Sequence, residues 1–263
     1  MPTVADFVAF LESFAPSHLA AEWDNVGLLS GDPARPVRRA MTCLSITPAS
    51  AAEAIAAEAE LIVAHHPLPF QPLRRLTTES TAGRLLWELT GAGIAIYSPH
   101  TAFDSARDGI NQRLARGLAL VDIAPLVPAP LGPAELGTGR IGRLAQAATL
   151  GALAERVKRL LAVPRAEVVG ALERPVERVA IVCGSGGELL EAALAAGSDV
   201  FVTGEARFHT CLEAEAQNIG LVLAGHYATE RFAVEELAGV LAREWPEIEV
   251  WASREERDPS LWV

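Results

Sequence analysis

The chain has 263 residues, a formal net charge of −11 at pH 7 and hydrophobic side chains at half of its positions. This length allows one large or two small domains, and the acidity argues against nucleic-acid binding, which needs clustered Lys and Arg. Three cysteines are too few and too badly spaced for a disulfide framework or a thiolate zinc site, so a reducing cytoplasm is expected.

The amino-terminal residues 1–19 carry no basic leader and predict an amphipathic helix rather than a signal peptide. Charged residues interrupt every apolar stretch well short of the roughly 18 residues that a membrane span needs. We therefore expect a cytoplasmic protein without a membrane partner.

Strands and helices alternate along the rest of the chain, which predicts βαβ units and a mostly parallel sheet. In the first half the predicted elements are VRRAMTCLSI (37–46, strand), PASAAEAIAAEA (48–59, helix), ELIVAHH (60–66, strand), TAGRLLWELTGAG (81–93, helix) and IAIYSPH (94–100, strand). The same order returns in VERVAIVC (176–183), GELLEAALAAG (187–197), SDVFVTGEA (198–206), TCLEAEAQNIG (210–220) and LVLAGH (221–226).

A segment dense in Pro and Gly, residues 125–139, lies between the two halves and is the best candidate for their connection. The predicted lobes are therefore residues 1–124 and 140–263, with a carboxyl-terminal part that can pack back on the first lobe. The halves also share a spacing: residue 43 precedes residue 65 by 22 positions, as residue 183 precedes residue 205. This agreement in order and spacing predicts an internal repeat.

The motif His-x3-carboxylate follows the third strand of each half, as His100 with Asp104 and as His226 with Glu230. In parallel α/β sheets ligands bind beyond the carboxyl ends of the strands. Six candidate ligands lie at such ends: His65, His66, His100, Asp104, His226 and Glu230.

Imidazole and carboxylate donors without thiolate suit Zn, Fe(II), Mn or Ni rather than Ca or Mg alone. Five or six such donors exceed the three that a single catalytic zinc takes, so two divalent metal ions fit the count better. His65 and His66 are neighbours that point to opposite faces of a regular strand, and they can serve one site only if the chain turns at Pro67. A solvent-facing His-His pair is the ordinary alternative for this dipeptide alone.

Five blocks resemble, in this order, the signatures of the Nif-three-like dinuclear metal centre family, whose members are often described as GTP cyclohydrolase I type 2 homologues. The blocks are EWDNVGLLSGD (22–32), AHHPLPF (64–70), YSPHTAFD (97–104), TGEARFH (203–209) and AGHYATE (224–230). The resemblance implies two related α/β lobes with a metal site between them at strand carboxyl ends, a homohexameric ring and two divalent metals per subunit.

The family's metal ligands correspond to His65, His66, Asp104, His226 and Glu230, with Glu230 as the bridge. The resemblance gives His100 a different role: it hydrogen-bonds a ligand or the substrate and is the candidate proton carrier.

Two positions depart from the family pattern, because many relatives carry aspartate where this chain has Ser45, and often also where it has Glu205. No additional domain fits between residues 125 and 175, so the chain resembles the short form of the family. The loop at Trp23, Asp24 and Asn25 is expected to border the metal cavity. The charged and then apolar tail, 254–263, is expected to dock on or cover a neighbour.

The predicted function is that of a metal-dependent hydrolase acting on a small molecule or nucleotide. The family resemblance points to purine-nucleotide ring opening at C8 of GTP with release of formate. Two alternatives stay open: a phosphoesterase or amidohydrolase acting on another small substrate, and a non-enzymatic ring that handles metal or regulates a partner.

Overall fold

The computed structural model describes residues 1–260, and the predicted tail contact of residues 261–263 lies outside them. The chain divides into two compact units. Unit 1 consists of Met1–Phe103 together with residues 233–260, and unit 2 consists of Asp104–Phe232. Among the helices of the described residues, none is both long and apolar enough to cross a membrane.

The α-helices of residues 1–260 are α1 (Val4–Phe14), α2 (Pro48–Ala56), α3 (Thr81–Gly91), α4 (His100–Ser105), α5 (Ile110–Gly117), α6 (Leu150–Leu161), α7 (Leu190–Ala195), α8 (Phe208–Ala216) and α9 (His226–Glu244). The strands are β1 (Gly27–Ser30), β2 (Arg39–Cys43), β3 (Leu61–Ala64), β4 (Ala95–Ser98), β5 (Leu120–Ala124), β6 (Val127–Pro128), β7 (Gly137–Thr138), β8 (Arg140–Thr149), β9 (Glu167–Val169), β10 (Pro175–Val182), β11 (Val200–Thr203), β12 (Gly220–Leu223) and β13 (Glu249–Ala252).

Unit 1 contains a five-stranded sheet in the order β1-β4-β3-β2-β13. Strands β2, β3, β4 and β13 are parallel, whereas β1 runs antiparallel to β4. The helix between β2 and β3 begins where the Thr47 hydroxyl accepts the N–H of Ser50 and Pro48 occupies the first turn. Apolar faces of α2 and α3 and of the strands form one buried cluster, which includes Met41, Ile62, Leu85, Leu89 and Ile96.

Unit 2 contains a six-stranded sheet in the order β5-β8-β10-β11-β12-β9, and β6 pairs with β7 separately. Strands β10, β11 and β12 are parallel, and β8 and β9 flank them in antiparallel orientation. The buried cluster of this unit includes Ala180, Leu190, Phe201, Ala214 and Leu221. The predicted α/β architecture is therefore confirmed in both units, but the mostly parallel sheet that the sequence predicts is found only in unit 1, since three of the five strand pairings of the unit 2 sheet are antiparallel.

The strand register aligns the two units residue by residue. Cys43 pairs with Ala64, and Val182 pairs with Thr203. The spacing of 22 residues, which aligns Cys43 with Cys183, makes residue 64 of unit 1 the equivalent of residue 204 in unit 2. The strand register instead makes it the equivalent of Thr203. The alignment taken from the sequence is thus displaced by one position, because Cys183 lies just beyond the end of β10.

A pair of carboxylates supports this register. Glu60 accepts the backbone N–H groups of Arg38 and Arg39 at 3.0 and 2.8 Å. Asp199 accepts those of Glu177 and Arg178 at 2.9 and 2.8 Å. In each unit, therefore, the carboxylate that precedes the second parallel strand (β3 or β11) binds the backbone at the start of the first parallel strand (β2 or β10).

The bounds of the compact units differ from the predicted lobes, 1–124 and 140–263. Residues 104–124 belong to unit 2 because β5 pairs with β8 there, and β13 belongs to unit 1 because it pairs with β2. The segment 125–139 holds β6 and β7 and is followed by a fully buried Arg140. Its guanidinium donates to the carbonyl groups of Gly137, Gly139 and Ala106, so this segment is anchored within unit 2.

Candidate metal centre

His65 and His66 follow β3 directly, where the backbone still bonds to the loop after β2. The N–H of His65 donates to the carbonyl of Cys43 at 2.9 Å, and that of His66 donates to the carbonyl of Leu44 at 2.8 Å. The chain bends at these residues, and the two imidazole rings lie 5.1 Å apart between centroids. The bend therefore lets consecutive histidines face one place, as the sequence required.

His100, the first residue of α4, completes a histidine cluster with His65 and His66. Its ring centroid lies 5.1 Å from that of His65 and 5.5 Å from that of His66. One candidate ligand nitrogen from each of the three rings lies within 4.8 Å of the other two. Three imidazoles at such distances can bind a metal ion. We call these three residues the histidine cluster.

A buried carboxylate holds His100 in place. Asp24 Oδ1 lies 2.7 Å from His100 Nδ1, while Asp24 Oδ2 accepts the N–H of Thr101 at 3.1 Å and also its hydroxyl. Burial raises the pKa of Asp24, but the hydrogen bonds from His100 and Thr101 outweigh it and lower the pKa to about 2. The ionised carboxylate has no proton to donate, so Nδ1 carries the proton and Nε2 is the ring nitrogen that could bind a metal or accept a proton.

His66 has a neutral partner instead. Its Nδ1 lies 2.7 Å from the hydroxyl oxygen of Ser45. The loop that carries this serine is fixed by Glu256, whose carboxylate accepts the N–H groups of Leu44 and Ser45 at 2.8 and 2.5 Å. Ser45 thus orients His66 by hydrogen bonding.

His226 and Glu230 meet in unit 2 on the first turn of α9. Nε2 of His226 lies 3.1 Å from Glu230 Oε2, and its Nδ1 lies 3.0 Å from Glu205 Oε1. The hydrogen bond to Glu230 raises the pKa of His226 to about 9; burial opposes this, and Glu205 acts in the same direction. The spacing of four residues places both side chains on one helix face, close enough to share one cation.

A glycine makes room for this pair. Gly184 has φ +60°, and a Cβ at this position would collide with the Glu230 carboxylate and lie 3.2 Å from His226 Nε2. The turn after β10 can therefore approach the carboxylate only because residue 184 has no side chain.

Asp104, also in unit 2, accepts a hydrogen bond from the thiol of Cys183 at 3.2 Å. Asn111 links the same two residues, because its Oδ1 accepts the N–H of Cys183 at 2.7 Å and its Nδ2 donates to the Asp104 carbonyl at 3.2 Å. Burial and the Asp104 charge raise the pKa of the Cys183 thiol, so it is a neutral donor. Among the described residues, Cys43, Cys183 and Cys211 form no disulfide.

A cavity of about 440 Å³ lies beside Glu205. It is lined by Ser185, Gly187, Glu188, Glu205, Ala206, Arg207 and Thr210, so the glycine-rich turn after β10 forms part of its wall.

The structure thus distributes the sequence-predicted site residues between the units. It brings His65, His66 and His100 together in unit 1, and it joins His226 to Glu230 in unit 2, where Asp104 contacts Cys183. The assignment of individual ligands stays a prediction. A site of imidazole and carboxylate donors suits the borderline divalent metals, since no thiolate takes part.

Four contacts of the site were missed in the sequence: the Asp24–His100, Ser45–His66, Glu205–His226 and Cys183–Asp104 pairs. The block EWDN pointed to the cavity but not to a partner, because Asp24 and His100 are 76 residues apart. The available signal is a general one: a histidine at a metal site usually donates its second ring N–H to a carboxylate or another acceptor, so such a partner should be sought for His100.

Residues 2–259 match the family Duf34/NIF3 (NGG1p interacting factor 3). The chain belongs to this family. It is 32% identical to the "GTP cyclohydrolase 1 type 2 homolog" of Lactococcus lactis, over 97% of this chain and 98% of the relative. It is 35% identical to the "Protein NIF3 homolog" of Schizosaccharomyces pombe, over 95% and 94%. The resemblance found in the sequence is confirmed.

Solved structures support the fold. A Staphylococcus aureus hypothetical protein superposes with a TM-score of 0.91 at 27% identity and covers 100% of both chains. The Bacillus cereus protein related to NIF3 superposes with a TM-score of 0.90 at 25% identity, over 100% of this chain and 99% of that one. The two-unit α/β arrangement of secondary structure is therefore that of the NIF3 family.

Proposed function

We propose that this protein is a hydrolase that depends on two divalent metal ions per chain. The observation that carries the proposal is the histidine cluster, in which three imidazoles converge and the buried Asp24 carboxylate fixes the tautomer of one of them. Oriented imidazoles backed by hydrogen-bond partners are typical of metal ligands rather than of structural histidines. His226 and Glu230 with Asp104 are the proposed ligands from unit 2, as the family resemblance implies.

The donor set fits such ions. Nitrogen and oxygen donors without thiolate suit Zn, Fe(II), Mn or Ni. When bound, divalent ions supply Lewis acidity and lower the pKa of water, which gives a nucleophile at neutral pH. The chain's own residues then orient the ligands: Asp24 acts on His100, Ser45 on His66 and Glu205 on His226.

The proposed reaction is hydrolytic opening of a purine-nucleotide ring. Its support is the name that two relatives carry, "GTP cyclohydrolase 1 type 2 homolog", together with the family resemblance of the five sequence blocks. GTP is therefore the first substrate to try, and formate is the product to measure.

The test begins with elemental analysis of the purified protein and continues with GTP in the presence of Mn, Fe(II), Zn, Ni or Co. We expect formate release that His65→Ala abolishes and His18→Ala preserves, since His18 is an exposed histidine outside the cluster. Absence of formate with every metal would remove the cyclohydrolase reaction. Readily exchanged metal without turnover on nucleotides or phosphoesters would favour a metal-handling protein.

His100 has a proposed role of its own, to carry a proton beside the metal. The variant His100→Ala separates this role from direct coordination. If His100 carries a proton, the variant keeps its metal content and loses about 10²–10⁴-fold in turnover. Loss of metal would instead make His100 a ligand of the cluster in which it lies.

For assembly we propose a closed homohexamer, which the resemblance implies and which follows the general rule that oligomers close by symmetry. Analytical ultracentrifugation at micromolar concentration is expected to give the mass of six chains of 27.9 kDa. A monomer under these conditions would contradict the proposal.

A further inference from the structure

Two exposed aromatic side chains stand beside the histidine cluster. Trp23 is 61% exposed and Phe70 is 50% exposed. Their rings lie 5.9 Å apart between centroids with an interplanar angle of 40°. Each of them also meets the His100 ring at 5.9 Å, edge to face, at 74° and 73°. We call Trp23 and Phe70 the aromatic pair.

The two segments that carry the aromatic pair are tied to each other and to the site. The turn that holds Trp23 closes through the N–H of Asp24, which donates to the carbonyl of Ala21 at 2.9 Å, and Asp24 itself holds His100. The side chain of Asn25 donates to the carbonyl of Pro69, next to Phe70, at 2.8 Å. The backbone on which both rings stand is therefore fixed by hydrogen bonds.

Exposure alone does not mark a binding site, since Trp87 on α3 is 60% exposed as well. What distinguishes Trp23 is its surroundings: a second exposed ring on a different segment, and direct contact with a histidine of the cluster. Aromatic surface placed beside a polar site is the usual means of binding a flat apolar group next to reactive polar atoms.

We infer that the aromatic pair is a stacking platform for the planar heteroaromatic ring of a nucleobase-bearing ligand. The inference rests on the proposed function, because it assigns the ligand to the histidine cluster as the reacting centre. A ring inserted between two others needs about 7 Å, twice the optimal carbon–carbon separation. The 5.9 Å between Trp23 and Phe70 is less, so the base stacks on the outer face of the indole and Phe70 borders it.

Neither side chain of the aromatic pair carries a charge or can pair with base edges as an amide would. The platform therefore recognises the π-face of a base and discriminates little between bases, as stacking sites for single-stranded nucleic acid do. It distinguishes a nucleotide from a sugar phosphate. The ligand class is thus a purine or pyrimidine nucleotide rather than a simple phosphoester.

The test measures affinity by calorimetry on full-length, Mn²⁺-loaded protein with GMP, AMP and ribose 5-phosphate. We expect Trp23→Leu and Phe70→Leu each to raise the Kd for GMP and AMP about 5- to 100-fold, the range that loss of one base–aromatic stack covers. Ribose 5-phosphate binding stays unchanged in both variants. Trp23→Phe, which keeps a ring, restores most of the affinity, and the equally exposed Trp87→Leu leaves every Kd unchanged.

Several results would overturn the inference. One is wild-type binding of ribose 5-phosphate as tight as that of GMP and AMP, and another is no binding of either nucleotide. A loss in Trp23→Leu that is equal for all three ligands, or that accompanies loss of metal, would assign Trp23 a structural role. Dissociation of an oligomer without a change in nucleotide affinity would make the aromatic pair a subunit contact.

The outcome is separable from that of the proposed function. Nucleotide binding that depends on Trp23, without turnover, supports the platform and removes the hydrolase. Turnover of a substrate without a ring, unaffected by Trp23→Leu, supports the hydrolase and removes the platform.

Discussion

The two units are built on the same plan but complete their sites differently. In each, a short strand (β1 or β9) precedes a parallel βαβαβ run and pairs antiparallel with its third strand, and a helix beginning with histidine follows. In each, Nδ1 of that histidine meets a carboxylate, Asp24 for His100 and Glu205 for His226. Both units therefore have a histidine as the first residue of a helix, with a carboxylate at its Nδ1.

The difference lies in where the carboxylate comes from. Asp24 precedes β1 and its side chain is fully buried, whereas Glu205 follows β11 and its side chain is 56% exposed. The connection to the helix differs as well: Pro99 alone joins β4 to α4, but two residues, including Gly225 at φ +94°, join β12 to α9. One backbone plan thus tolerates a change in the source of the carboxylate while the histidine keeps its place at the start of the helix.

Removing one proposed ligand from each unit has the largest expected effect. His66→Ala and His226→Ala should each lose at least one metal ion, because a ligand set that lacks one imidazole binds too weakly to survive purification. Neither side chain is part of the buried apolar core, so the far-ultraviolet circular dichroism should change little, while the Tm falls by the stabilisation that the lost metal supplied. Elemental analysis gives the metal content, and full stoichiometry in both variants would contradict the ligand assignment.

Neutralising the two carboxylates tests whether burial makes them unequal. If His100 binds the metal, Asp24→Asn should lower metal affinity about 10- to 100-fold, the usual cost of losing a group that orients a ligand histidine; if His100 only carries a proton, the variant should keep its metal and lose turnover. Glu205→Gln should lower metal affinity by a smaller factor, because solvent screens the exposed carboxylate and weakens its effect on His226. Competition with a chromogenic chelator measures both. Equal losses would show that the two pairs are equivalent despite their different exposure.

The loops after β2 and β10, which hold Ser45 and Gly184, offer a further comparison. Gly184→Ala should cost about 1–3 kcal/mol of the free energy of unfolding and displace Glu230, since the added Cβ meets that carboxylate and φ is positive. Ser45→Ala removes one hydrogen bond and should cost about 1 kcal/mol. Urea denaturation measures both; a larger loss for Ser45→Ala would contradict the steric role of Gly184.

The smallest expected effect concerns the strand-binding carboxylates. Glu60→Gln and Asp199→Asn retain an acceptor oxygen for the two N–H groups and remove only the charge. Each variant should lower the free energy of unfolding by about 1 kcal/mol or less, and the two losses should be similar. The metal content should stay unchanged. Urea denaturation of the metal-loaded protein checks the pair. A loss confined to one of them would show that the carboxylates are not equivalent.

Local sequence predicted the parallel core of both units. The buried β3, β4, β11 and β12 are short apolar runs, and in unit 1 the helices α2 and α3 begin at the caps Thr47 and Ser80. Both signals act within a few residues, so they can be read from the chain. The strands that flank these cores were not predicted, because β5, β9 and β13 are partly exposed and are defined by their partners.

The site was predictable as a set of strand-end residues but not as a set of contacts. Histidine and carboxylate at the carboxyl ends of parallel strands follow from topology alone. The Asp24–His100 pair depends on long-range packing, and the burial of Arg140, just after the segment read as a connection, depends on carbonyl groups of unit 2. Such contacts become visible only once the chain is folded.

The split of unit 1 in sequence has a consequence for biosynthesis. Strand β13 pairs with β2, and Glu53 anchors it by accepting from Trp251 Nε1 at 3.1 Å and from the Ser253 hydroxyl at 2.6 Å. These partners are translated about 200 residues after Glu53. All of unit 2 is therefore synthesised while β2 has β3 on one side but not yet β13 on the other. The unit begun first is finished last, and its open strand edge is the point at which a nascent chain most needs protection from aggregation.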